Sequence, residues 1–137
     1  MPVLSLRVLL VGIAAGLLFA VLDGLLNANP LAQRLYAVYR PIARESVNAP
    51  LGLIFDLVSG VVMAGLFALL SPALPGSTAG KAVAFGLIAW FFRVAMGVAA
   101  QTVMFKVPPA AHLYALCTGA LEMTILASVY ACALRPR

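Results

Sequence analysis

The chain has 137 residues, of which 64% are hydrophobic and only 9% charged, with a formal net charge of +5 and a mean hydropathy of +1.09. A soluble globule normally carries about 25% charged residues, so this chain has too little polar side chain to cover one and belongs in lipid. Nor does the positive charge make a nucleic-acid surface. Apart from Arg93, the basic residues Arg7, Arg34, Arg40, Arg44, Lys81, Lys106, Arg135 and Arg137 stand at the edges or outside of the apolar runs, where anionic lipid headgroups are met.

Taken in chain order, the first apolar run covers 7–28 and is long enough to cross about 30 Å of hydrocarbon at about 1.5 Å per residue. Its small residues Gly12, Gly16 and Ala20 form a row suited to close helix approach. Arg7 before the run also fits a cleaved signal peptide. Against that, the best cleavage point, after Ala28, has Leu26 at minus three and Pro30 at plus two, and Asp23 interrupts the run.

The connection 30–49 places Leu31, Leu35, Val38, Tyr39 and Ile42 at roughly helical spacing against Arg34, Arg40 and Arg44. It predicts a helix along the membrane interface, with Asn29 as N-cap, Pro30 in the first turn and a break at Pro41. Tyr36 and Tyr39 are then expected at headgroup level beside the arginines.

The second span is expected over 51–71 with Gly60, Ala64 and Ala68 as its small row. The third is expected over 81–105 with Gly86, Ala89, Gly97 and Ala100, and the fourth over 110–134. Asn48 before Pro50, Ser77 and Thr78 before Gly80, and Pro108 with Pro109 are the start and stop signals between them. The expected fold is all-α: one integral membrane domain over 1–137, a four-helix bundle with no strands.

Four spans put both termini on one side. That side carries Arg7, Lys81, Arg135 and Arg137, and the other carries Arg34, Arg40, Arg44 and Lys106. The balance gives no strong orientation under the positive-inside rule and leaves dual insertion open. Termini in the cytoplasm of a bacterial inner membrane are the expectation, because their charges lie closest to the membrane.

The ionisable residues inside the spans carry the chemistry. Counted from the 30–49 side, Asp23 and Asp56 lie about 9 Å deep and Arg93 and Glu122 about 18 Å deep. An arginine at the bilayer centre costs about 2.5–3.5 kcal/mol on insertion scales, so it needs a partner. Equal depth makes Glu122 the expected one, as a bidentate pair. Each charge also stands three, four or seven residues from a small residue of its own span, so all are expected to face the bundle interior. There Asn27, Ser59, Gln101, His112 and Thr118 can add hydrogen bonds.

Three carboxylates against one arginine leave an excess that either protons or a bound cation must balance. The expected function is therefore a small oligomer that moves or senses a proton or cation. Its ion-binding residues would be Asp23, Asp56, Arg93, Glu122, His112, Gln101 and Asn27. The alternative is an accessory or assembly subunit of a larger membrane complex, in which these charges fix helix pairing or dock a partner. A lipid enzyme using a carboxylate with His112 ranks third.

Other motifs dissolve. PGSTAGKA at 75–82 has Pro75 and Ala82 where a phosphate-binding loop needs glycine and a hydroxyl residue. Cys117 and Cys132 stand about 22 Å apart along one helix and cannot bridge. A single histidine excludes bis-histidine haem within a monomer. No spacing specifies a metal site, and no cofactor is expected.

In size and helix count the chain resembles the small multidrug resistance transporters and the dual-topology fluoride channels, which are compact four-helix bundles working as dimers. The former carry a glutamate near the middle of the first span, where this chain has Asp23 near the far end, and the pore motifs of the latter are absent. No family is recognised.

Overall fold

The computed structural model describes residues 5–135. Arg137, counted above among the terminal-side charges, lies outside them. The elements are α1 (Leu6–Asn27), α2 (Pro30–Leu35), a 3-10 helix (Tyr36–Ile42), α3 (Ala49–Leu70), α4 (Thr78–Trp90), a π turn (Phe91–Ala95), α5 (Met96–Met104) and α6 (Pro109–Ala133). No strand occurs among the described residues. Four helices are long and apolar enough to cross a membrane, namely Leu6–Asn27, Ala49–Leu70, Thr78–Met104 and Pro109–Ala133. The protein is an all-helical four-span bundle, with each span boundary within three residues of the sequence expectation.

Side chains set the helix starts. The carboxamide oxygen of Asn29 accepts from Ala32 N at 3.0 Å, that of Asn48 from Leu51 N at 3.1 Å, and Ser77 Oγ from Gly80 N at 2.9 Å. Each satisfies a backbone donor that the first helical turn leaves free, which matters most where no water substitutes. At the other end of α3, Lys81 Nζ donates to Ser71 O at 2.8 Å and Ser71 Oγ at 3.1 Å, tying the short loop between α3 and α4.

In the bundle, α1 packs against α3 and α6, and α6 packs against α4, whereas α3 and α4 hardly touch. Lipid offers no hydrophobic drive between helices, so close packing must hold them. The α1–α3 crossing is made of glycine. A methyl group on Gly60 would overlap Gly12 O and the backbone of Gly16. One on Gly12 would stand 2.6 Å from Val61 Cα, and one on Gly16 2.7 Å from Leu57 Cα. Between α4 and α6 the fit is looser, since a methyl on Gly86 would meet Ala127 Cβ at 3.4 Å, an ordinary contact.

The core fills only the half of the bundle near the chain termini. Phe67, Phe85 and Tyr130 stand with ring centroids 5.2 to 6.2 Å apart, surrounded by Val8, Phe19, Ala64, Met123 and Leu126. In the other half, α1 buries nothing after Phe19, α3 nothing before Gly60, and α5 nothing at all. One half is sealed and the other is loose.

Two features depart from the sequence expectation. The third span is not one α-helix, because the π turn inserts an extra residue at Phe91–Ala95. This puts the residues after it out of phase with those before it, so Gly86 and Ala89 are buried while Gly97 and Ala100 are exposed. The continuous small-residue row expected along this span is thereby broken. The connection, expected to be helical with a break at Pro41, is α-helix only to Leu35, then 3-10 helix to Ile42, with 43–48 irregular.

Candidate functional site

The connection folds over the loose half and carries tyrosines into it. Tyr114 on α6 donates to Leu26 O at 2.6 Å and accepts from Asn29 Nδ2 at 2.8 Å, fixing the end of α1 to α6. Tyr36 lies edge-on to Tyr114 with centroids 5.9 Å apart and leans on Tyr39 at 6.2 Å. The Tyr39 hydroxyl donates to Gln101 Oε1 at 2.7 Å, which pins α5 to the connection. Both tyrosines thus turn towards the helices, near the connection-side ends of α5 and α6. Burial pushes the Tyr36 phenol above its ordinary 10.0, with Tyr114 and Tyr39 adding to it. Tyr36 is therefore neutral and a hydrogen-bond donor at physiological pH.

Beneath this cover the four intramembrane ionisable residues converge without pairing. Glu122 on α6 is 8% exposed, and its Oε1 has no hydrogen-bond partner. Asp23, Arg93 and Asp56, from three other helical segments, all lie within electrostatic reach of it. Asp23 and Arg93 also reach Asp56, and Glu122 and Asp23 reach Tyr36. Asp23 itself is exposed, and its Oδ1 accepts from Asn27 Nδ2 at 2.8 Å. Asp23 is one turn beyond Phe19 on the same helix face, and Phe19 is buried. The inward face of α1 therefore loses its cover between these two residues.

The pairing of Arg93 with Glu122 is not formed. Arg93 Nη1 donates to Ser59 Oγ at 3.3 Å, and the guanidinium carbon lies 4.5 Å from the centre of the Phe19 ring. Equal depth was the ground for expecting the pair, but depth does not fix the direction in which a side chain leaves its helix. Arg93 lies within the π turn and reaches to α1 and α3 instead. The neighbouring Val94 meanwhile fills the notch at Gly119 on α6, where a methyl would stand 2.7 Å from its Cγ2.

The two aspartates are not level either. The glycine contacts set Asp56 opposite residue 17 of α1, so Asp23 stands roughly six residues, or about 9 Å, nearer the connection. Counting from span ends missed this because close approach of backbones, not span length, sets the register.

His112 lies in the first turn of α6 with its Nε2 buried and unpartnered, and nothing joins it to the acidic residues. Ser59 takes the hydrogen-bonding role expected of it, whereas Thr118 spends its hydroxyl on Tyr114 O of its own helix at 2.8 Å. No group of three or more His, Cys, Asp or Glu placed to hold a metal ion occurs among the described residues. Sequence reasoning missed Phe19 as the ring beneath Arg93, and Tyr114 as the anchor of the connection. Their only sequence signal is an aromatic on an inward helix face, which packing alone also explains. The chain matches no family model, no curated protein and no solved structure.

Proposed function

We propose that this chain, embedded in a bacterial inner membrane with its termini cytoplasmic and assembled as a small oligomer, moves or senses a proton at its converging acids. The observation that carries this reading is the Glu122 carboxyl, buried, with one oxygen unpartnered and charged groups from three other segments within reach. Such a carboxyl needs a proton or a cation to complete it. A proton is favoured over a metal cation because no three His, Cys, Asp or Glu side chains among the described residues are placed to hold a metal ion. The uncovered face at Asp23 gives entry, and the Phe67, Phe85 and Tyr130 rings form the barrier on the opposite side.

In proteoliposomes with an imposed pH gradient, the native chain is expected to dissipate the gradient or to drive uptake of a cationic solute. Glu122→Gln and Asp56→Asn remove the exchangeable proton with little change of shape and are expected to abolish the flux while the chain still assembles. Equal flux in the native chain and in both variants would refute the role of these acids.

An assembly subunit is the second reading, favoured by Arg93, Gly24 and Gly97, which are exposed within spans. It predicts no flux for any proton or cation gradient and a heteromeric mass in mild detergent.

A further inference from the structure

Between α3 and α4, where the two helices hardly touch, a groove of 490 Å³ faces the membrane. Its walls are Val62, Leu66 and Leu70 on one side and Phe85, Ile88 and Phe92 on the other. From Leu70 to Ser59 it runs eleven residues along α3, about 16 Å. Its inner end is polar, formed by Ser59 and Arg93. Arg93 uses Nη1 on Ser59 Oγ, and its remaining N–H groups have no protein acceptor among the described residues. Ser59 accepts that bond and keeps its own O–H to donate. The inner end therefore offers donors and one positive charge, and the rest of the groove offers only hydrocarbon.

We propose that this groove binds a long-chain carboxylic acid of the fatty-acid class, with its carboxylate on Arg93 and Ser59 and its chain along α3 towards Leu70 and Phe85. The volume falls within the roughly 300–1,000 Å³ of small-ligand sites. It is long and narrow, whereas a transmembrane helix about 10 Å across would need a broad face. A planar guanidinium with unspent N–H groups matches a carboxylate in charge and in geometry.

The depth of Arg93 selects between anionic amphiphiles. It lies eleven residues, about 16 Å, from the end of its span at Met104. A phospholipid phosphate stays at the interface because it cannot shed its charge. A carboxylic acid can cross the hydrocarbon as the neutral acid, its ordinary value being about 4, and ionise beside the guanidinium. Binding in the groove requires no flux, but Asp56 and Glu122 lie within electrostatic reach of Arg93 and a ligand carboxylate adds to their repulsion, so the ligand is expected to bind when they hold protons.

The test uses the full chain in phosphatidylcholine nanodiscs with a photoactivatable diazirine analogue of palmitic acid. Labelling is expected on Val62, Leu66 or Ile88. Palmitic acid is expected to compete for it, and the methyl ester, which cannot carry the charge, to compete about tenfold less well. That comparison is made on the unaltered chain and does not depend on a variant folding. Arg93→Gln is expected to raise the half-labelling concentration by about the same factor, and Leu66→Trp to remove labelling by filling the groove. Equal competition by acid and ester would overturn the proposal, because the groove would then simply be filled by lipid tails. Crosslinks to a second protein chain in place of the fatty acid would overturn it as well, in favour of a helix occupant.

Discussion

Gly60→Ala is expected to destabilise the bundle by about 3 kcal/mol, the upper end of the usual cost of overpacking. The added methyl meets backbone on both sides, Gly12 O and the Gly16 backbone, so no rotamer change relieves it and α1 must move away from α3. Packing is the main force between these helices in lipid, and moving them apart loses most of what holds the pair. The controls are Gly24→Ala and Gly52→Ala, whose new methyls have no heavy atom within 4 Å. These are expected to be neutral or slightly stabilising, since alanine is the better helix former. Reversible unfolding in mixed micelles, followed by Trp90 fluorescence, checks all three. Equal stability of Gly60→Ala and Gly24→Ala would show that the crossing is not tight.

The second large effect is expected at Tyr130. Its side chain is fully buried between Phe67 and Phe85, and its hydroxyl donates to Gly60 O at 3.1 Å. That bond fastens α6 to the centre of the α1–α3 crossing. Tyr130→Phe keeps the ring and removes the bond, at an expected cost of about 1 kcal/mol. Tyr130→Ala also leaves a cavity, for a total of about 3–5 kcal/mol. On the proposed reading it also opens the aromatic barrier, so proteoliposomes carrying it are expected to leak protons in a way that Tyr130→Phe does not. The two substitutions therefore separate the hydrogen bond from the seal, by stability and by leak respectively.

The sequence could show the number of spans and their limits because those depend on local signals, namely unbroken apolar runs and the capping residues Asn29, Asn48 and Ser77. It could also show which residues carry charge within lipid. It could not show how those charges face one another, since that depends on helix register and phase. Register at Asp23 and Asp56 follows from backbone contact at Gly12, Gly16 and Gly60. Each of these was legible as a member of a small-residue row, but the offset between the two rows was not. Phase at Arg93 follows from the π turn at Phe91–Ala95, which carries no proline or glycine to announce it. The inward turn of Tyr36 and Tyr39 depends on partners at Tyr114 and Gln101, more than sixty residues away along the chain. Amphipathic spacing alone could not show those partners.

On the proposed reading the acids are open to water on one side of the membrane and closed off on the other, and side-specific thiol labelling tests this most directly. Cys117 and Cys132 are both exposed and are first replaced by serine. Single cysteines are then placed at Asp23 and at Gly97, one turn below the Tyr39-bonded Gln101, and at Ala64 and Ala127, which are both 0% exposed in the sealed half. A membrane-impermeant maleimide added to the connection side is expected to label positions 23 and 97 and to leave 64 and 127 unlabelled. The same reagent on the terminal side is expected to label none of the four. Failure to label position 23 from the connection side, or labelling of 64 or 127 from either side, would contradict a water-accessible acidic interior closed by the Phe67, Phe85 and Tyr130 rings.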